Sequence, residues 1–388
     1  MRRDVLLLSL AAFASAASLR ASDPLLPLIA ADFGTTTAAA SGAITGFLLS
    51  YGLLQVVYGP LGDRFGRYRT IAVACLISAL GSAACAAAPS LEALVVARFA
   101  AGATIGALIP LSMAWIGDSF PYERRQAVLA RFLIGQMLGS AFGTALAGWL
   151  GEMLSWRAIF VVFAALFVLV AAALALELRR NPLAAGSPST RSLAQSIARL
   201  PRVLVHAAVR ALLAAVFVEG LLLSGAFAFV ALSLQERHAI GPGLAGTLLS
   251  AWAIAGLVYA ALARRAVGRL GEKGLVTAGG AALALGYAGL AFSPALWVST
   301  ACVGACGAGY YMMHTTLQAR ITEAAPEDRG SAVALFAASL FIGGAFGVWL
   351  GAMLVEAAGF AALFSVGAVG LAALSAVVRT RLLARAPQ

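Results

Sequence analysis

Charge is scarce in this chain. Asp, Glu, Lys and Arg supply 11% of its 388 residues, lysine occurs once, at Lys273, and histidine three times. A soluble globular domain carries about 25% charged residues, so the composition excludes a water-soluble fold of this length. Cysteine is also rare: Cys75, Cys85, Cys302 and Cys306 all sit in apolar runs, where they fit small packing residues and spell neither a disulfide framework nor a zinc site. H-E-x-x-H, G-x-S-x-G and phosphate-loop motifs are absent, and the single lysine stands outside any of them. One G-x-G-x-x-G match occurs, GPGLAG at Gly241–Gly246, but it falls in an extracytoplasmic turn between apolar segments. It lacks the strand, turn and helix that make a dinucleotide site. Catalysis, a cofactor and a bound metal are therefore not expected. Long polar stretches are missing too, with one exception, Asn181 to Pro201, NPLAAGSPSTRSLAQSIARLP.

What is present is apolar. Hydrophobic residues make up 62% of the chain and its mean hydropathy is +0.93. A membrane-crossing helix needs roughly 20 mostly apolar residues, and twelve runs meet that length: about 5–28, 41–60, 70–89, 92–116, 128–150, 157–177, 208–232, 244–263, 275–292, 295–318, 331–354 and 359–379. They are too long and too poor in alternating polar residues for barrel strands, so they are read as helices, whose backbone groups bond within the segment. The expected fold is an all-α polytopic membrane protein. The opening MRRDVLLLSLAAFASAAS imitates a secretory signal. Apolar character resumes at PLLPLIA, however, and the segment is kept as the first span.

A net charge of +11 and a pI near 10.2 suggest a nucleic-acid partner until the basic residues are placed. Such a partner needs a solvated basic patch with interleaved aromatics. With the N-terminus in the cytoplasm, all but four of the 27 Lys and Arg residues fall on the cytoplasmic side, the exceptions being Arg20, Arg98, Arg157 and Arg237. Excess Lys and Arg in cytoplasmic loops is the rule for spanning proteins. Both termini are then cytoplasmic in a bacterial inner membrane, and the partner of the positive charge is the bilayer, not a nucleic acid.

The polar stretch separates six runs from six, which gives an N-terminal half over 1–180, a cytoplasmic linker over 181–207 and a C-terminal half over 208–388. The halves repeat. A step of 205 takes Arg64 and Gly66 to Arg269 and Gly271, and Pro121, Glu123, Arg124 and Ala127 to Pro326, Asp328, Arg329 and Ala332. A step of 204 takes GSAFG at Gly139–Gly143 to GGAFG at Gly343–Gly347, and a step of 200 takes GFLLS at Gly46–Ser50 to GTLLS at Gly246–Ser250. Parallel six-helix repeats about an axis along the membrane normal occur in secondary transporters, with substrate bound between the halves near the midplane.

Between the second and third runs stands YGPLGDRFGRYRT, with four charges from Asp63 to Arg69. This stretch resembles the major facilitator superfamily signature G-x-L-x-D-R-x-G-R, matched at Gly59, Leu61, Asp63, Arg64, Gly66 and Arg67, and the resemblance covers the whole chain. It implies a cytoplasmic latch in which Asp63 approaches the N-terminus of the eleventh helix, near Gly330 and Ser331, and joins Arg67 and Asp118. An anion is stabilised at a helix N-terminus. The second-half copy, ARRAVGRLGEK, has Gly268 where Asp63 stands, so the latch is expected to be asymmetric. The resemblance also marks Arg98, in RFAAGATIG, as a residue that assists proton movement; the alternative is a side chain that snorkels to the outer interface. In the fifth run Gly135, Gly139 and Gly143 form one stripe. The family's proton antiporters carry Gly-Pro there, whereas Gly139 is followed by Ser140, so the stripe is read as close helix packing.

Ionisable groups inside the membrane are costly and mark function or pairing. Arg20 and Asp23, three apart in the first run, share a helix face and can pair. Glu219 sits mid-run in the seventh with no cation on its own helix, which makes it the better candidate to take up and release a proton, with His314 a possible neighbour. Tyr310, His314 and Gln318 recur every four residues along one face of the tenth, and Phe217, Phe227, Phe229, Tyr310 and Tyr311 are candidates to line an apolar pocket. The pattern points to a monomeric, proton-coupled carrier working by alternating access. Efflux of a drug-like or metabolite molecule comes first, because the runs hold few polar groups with which to read a hydroxylated solute. Uptake of an organic acid, sugar or siderophore-like solute is the alternative, and a membrane-embedded enzyme or a receptor stands behind both.

Overall fold

A computed structural model describes residues 3–181 and 200–383, apart from the side chains at positions 122 and 123. Most of the expected linker, 182–199, and the basic residues Arg2, Arg191, Arg199 and Arg385 lie outside the described residues. Within them there is helix and no strand.

The N-terminal half comprises α1 (Arg3–Asp32), α2 (Thr37–Leu53 and Gln55–Phe65, bent by 51°), α3 (Arg67–Ala86), α4 (Leu91–Ser119), α5 (Tyr122–Met153) and α6 (Trp156–Arg180). After a short helix at Leu200–Val205 come α7 (Ala207–His238), α8 and α9 (242–270 and 272–292), α10 (Leu296–Ala324), and α11 and α12 (329–358 and 360–382). Local chemistry sets several boundaries. Ser90 accepts from the Ala93 amide at the start of α4, Ser155 from Arg157 at the start of α6, and Thr36 from Ala39 at the start of α2, each satisfying a first-turn donor that has no helical partner. In α1 the helix gives way at Asp23–Leu25 to a 3-10 turn carrying Pro24, whose ring cannot donate to the ladder.

The stretches Pro242–Phe292 and Arg329–Val377 run for 51 and 49 residues. At 1.5 Å per residue a straight helix of that length spans about 75 Å, more than twice the roughly 30 Å hydrocarbon core. Each is broken by a glycine in the left-handed region, Gly271 (φ 60°) and Gly359 (φ 77°). Gly66, one step of 205 before Gly271, has φ 86° at the α2–α3 turn. The repeat read from the sequence thus reappears as a glycine of positive φ at equivalent turns.

Each of the twelve apolar runs falls on one of these helices. By length and composition eight helical stretches of the described residues are able to cross a membrane, or nine with the bent pair of α2, two of them being the double stretches. Helix α10 is not among them; Trp297, Ser299, Thr300, Tyr310, Tyr311 and its glycines lower its apolarity.

Lipid offers no hydrophobic force between helices, so their approach rests on close packing of small residues. The glycine stripe of α5 does this. A Cβ added at Gly135, Gly139 or Gly143 would meet the α1 backbone at Ser9, Phe13 or Ala17. Helix α11 repeats the seam on α7, where a Cβ at Gly343, Gly347 or Gly351 would meet Phe217, Leu221 or Gly225. Between the halves, α2 packs on α11, with the Tyr51 and Phe341 rings 4.3 Å apart, and α5 packs on α8. Leu80, Leu169, Leu285 and Val369 turn outward and are exposed, as side chains facing hydrocarbon do.

Candidate functional site

Glu219 lies in α7 with no exposed surface. Its Oε2 is 2.9 Å from His314 Nδ1 on α10, while Oε1 is buried with no hydrogen-bond partner. One proton serves this contact in either direction: imidazole N–H donates to a carboxylate, or carboxyl O–H donates to the imidazole nitrogen. A buried carboxyl with half its acceptor capacity unused is costly to maintain, and such groups call for an explanation in function.

From His314 a line of rings crosses the molecule. His314 stacks on Tyr310 at 4.8 Å and lies 5.2 Å from Phe336. Tyr310 packs on Trp252 at 5.4 Å and on Tyr311 at 5.2 Å, and Trp252 meets Phe227 edge-on at 4.5 Å. Above Phe227 sits the Arg20 guanidinium, 4.8 Å from the ring centroid. The line therefore begins in the C-terminal half at Glu219 and ends on α1 of the N-terminal half. The four-residue spacing of α10 explains the His314–Tyr310 stack, since residues four apart lie above one another on a helix.

Arg20 pairs with Asp23 at 3.5 Å, as the sequence suggested, and Asp23 is completely buried with Oδ1 unpartnered. Arg98 does not snorkel. Its side chain is 1% exposed, lies 4.0 Å from the Phe47 ring centroid, and donates at 3.4 Å to the carbonyls of Ser18 and Ala43. A guanidinium has five donors and disperses its charge over ring faces, which is how Arg98 is held in a helix-packed interior.

At the opposite end of the half the structure brings Asp63, Arg67 and Asp118 together. Arg67 donates to Asp63 at 2.9 Å, to the Ala114 carbonyl at 2.8 Å, and to Asp118. The hydrogen bonds of Asp63 run to Arg67, so it makes none to the first turn of α11. Arg64 stands apart, 5.3 Å from the Phe65 ring. Gly66 supplies the turn, whereas Gly59 is exposed with open space where a Cβ would be. The second half carries its own cluster of one arginine and two carboxylates, with the arginine at a different position. Glu272, one step of 205 from Arg67, accepts from Arg320 Nε at 2.8 Å, and Arg320 also lies 3.9 Å from Glu323, the equivalent of Asp118.

Two expectations need correction. Gln318 is exposed and does not join Tyr310 and His314, because α10 carries it one turn further towards its charged end. Phe217 packs with Phe346 and Phe229 lies against Gly351, so neither belongs to the ring line. Trp252 and Phe336 do belong and were missed; no spacing on their own helices sets them apart from other buried aromatics. Among the described residues no group of three or more His, Cys, Asp and Glu is placed to hold a metal, and the four cysteines are free.

Comparison with known proteins follows from this geometry. The model of the family described as Major Facilitator Superfamily matches residues 8–328 and 215–388. The chain is 32% identical over 157 residues to the "Multidrug export protein EmrB" of Haemophilus influenzae, covering 40% of this chain and 31% of that protein. It is 32% identical over 163 residues to the "Lincomycin resistance protein" of Streptomyces lincolnensis, covering 42% and 34%. The matched region thus spans about a third of the length of these curated relatives. The crystal structure of the nucleoside transporter NupG superposes with a TM-score of 0.76 at 15% identity, covering 99% of each chain, a likeness in fold.

Proposed function

The chain belongs to the Major Facilitator Superfamily, and we propose that within this family of membrane transporters it is a proton-driven exporter of small, largely apolar organic molecules. It is a transporter and not an enzyme. The observation that carries the reading is the pair of fully buried Glu219 with His314, which leaves one carboxyl oxygen unpartnered, set at the head of the ring line that leads to Arg20 and Asp23. Glu219 takes up and releases the coupling proton, the rings of Tyr310, Trp252 and Phe227 receive the apolar body of the substrate, and on the N-terminal side Arg20 and Asp23 keep an ion pair while Arg98 is a further buried cation. Aromatic faces with few polar groups bind by area and shape, which suits drug-like molecules. The names of the relatives, multidrug export and lincomycin resistance, support the outward direction.

In this reading twelve helices cross a bacterial inner membrane as a monomer. The halves 1–180 and 208–388 rock about the substrate, and both termini are cytoplasmic. Cells expressing the protein are expected to accumulate less of at least one labelled apolar compound from a mixed panel than cells lacking it, and a protonophore is expected to erase the difference. Equal accumulation across the panel, or a difference that survives the protonophore, overturns proton-driven export. For orientation, reporter fusions after Pro201 and after Gln388 are both expected to read cytoplasmic; a periplasmic signal at either breaks the twelve-span arrangement.

A further inference from the structure

The G-x-G-x-x-G match is no dinucleotide site, yet its glycines have a specific place. GPGLAG opens α8, and its face is pressed against the end of α5 in the other half. Glu152 Oε2 accepts from the Gly243 amide at 2.8 Å, in the first helical turn, where amides lack helical partners and the helix dipole favours an anion. A Cβ on Gly241 would meet the Glu152 carboxylate, one on Gly243 the Trp149 indole, and one on Gly246 the Thr144 carbonyl. On the α5 side, a Cβ on Gly148 would meet the Pro242 carbonyl.

Polar bonds bind this glycine seam. Trp149 Nε1 donates to Thr247 Oγ1 at 3.1 Å, and Thr247 in turn donates to the Gly243 carbonyl at 2.8 Å. Ser250 donates to the Ala141 carbonyl at 2.8 Å, and near the same end Gln235 on α7 donates to the Pro24 carbonyl on α1 at 3.1 Å. The four bonds from Gly243, Trp149, Ser250 and Gln235 join a residue before the linker to one after it. Glu152 is exposed to solvent, so water can replace the Gly243 amide when the helices part, and glycine surfaces separate without rotamer changes.

We propose that Glu152 and the glycines of GPGLAG form the clamp that closes the outer face of the carrier, at the end of the bundle opposite Arg67. It rests on the alternating-access reading above: opening outward requires release of the Glu152–Gly243 bond. Glu152 is a positioning residue, acting on the equilibrium between outward-closed and outward-open forms.

Spin labels at Met153 and Glu236, in a chain whose four cysteines are replaced by alanine, report the outer separation of the halves by pulsed electron resonance in lipid nanodiscs. Glu152→Gln removes the anion while keeping its shape, and is expected to raise the long-distance population about fivefold, the scale of one such helix-end interaction. Gly243→Ala, which drives a methyl group into Trp149, is expected to shift the distribution the same way, and Glu152→Asp to restore most of the short-distance population. A wild-type distribution that moves with an imposed pH gradient but is unchanged by Glu152→Gln and Gly243→Ala overturns the clamp alone. A wild-type distribution that stays single and short under every gradient overturns alternating access and the clamp together.

Discussion

Proteoliposomes containing Glu219→Gln are expected to show no substrate accumulation under an imposed pH gradient, while still exchanging substrate across the membrane. Glutamine keeps the shape of the side chain and can donate from its amide to the unprotonated His314 nitrogen, so the ring line from His314 to Phe227 stays in place. What it removes is the titratable group. A carrier coupled through this site then binds and rocks without moving a proton, and gradient-driven uptake falls to the level of empty vesicles while counterflow persists. Loss of both activities, with monodisperse protein, assigns Glu219 to helix placement instead of coupling. Wild-type accumulation removes it from the mechanism and makes Asp23, buried with an unpartnered oxygen beside Arg20, the next carboxyl to test.

The second large effect is expected at Arg67. This one side chain holds Asp63, Asp118 and the Ala114 carbonyl, so Arg67→Gln breaks two ion pairs and a backbone contact at once. Both carboxylates are substantially exposed, Asp118 more than Asp63, and each pair is worth about 0.2–1 kcal/mol. Together they shift a conformational equilibrium by roughly tenfold, since 1.4 kcal/mol is a factor of ten. Initial transport rates are expected to fall by about that factor, with normal membrane insertion. Asp63→Asn, which breaks one pair and leaves Arg67 bonded to Asp118 and Ala114, is expected to cost less. An Arg67→Gln rate within twofold of wild type, at matched expression, removes the cluster from the transport cycle. An Asp63→Asn effect larger than that of Arg67→Gln points to a partner of Asp63 other than Arg67, such as the first turn of α11 in another conformation.

Pairs close in sequence were legible in advance. Arg20 and Asp23, three residues apart, had to share a helix face, and they pair; Tyr310 and His314, four apart, were placed on one face, and their rings stack. Gln318 obeyed the same spacing and failed, because spacing says which residues lie in line along a helix and not how far the neighbouring helices extend beside it. Arg98 shows the same limit. Its position near a span end was compatible with snorkelling, and only the packing of α1, α2 and α6 around it, with the Phe47 and Phe160 rings over its guanidinium, decided that it is buried.

Length, apolarity and the distribution of Lys and Arg by themselves determined that the chain is a polytopic helical protein, and its sequence carries an internal repeat. Those properties follow from the thickness of a bilayer and the need to satisfy backbone groups within each segment, and they require no knowledge of which helices touch. The meeting of Glu219 with His314, the ring line through Trp252 to Arg20, the pair of Glu272 and Arg320, and the seam of GPGLAG on α5 were decided by tertiary structure alone. Each joins residues on different helices, and the relative rotation of two helices is set by small-residue contacts along their whole length, which no local pattern on either one encodes.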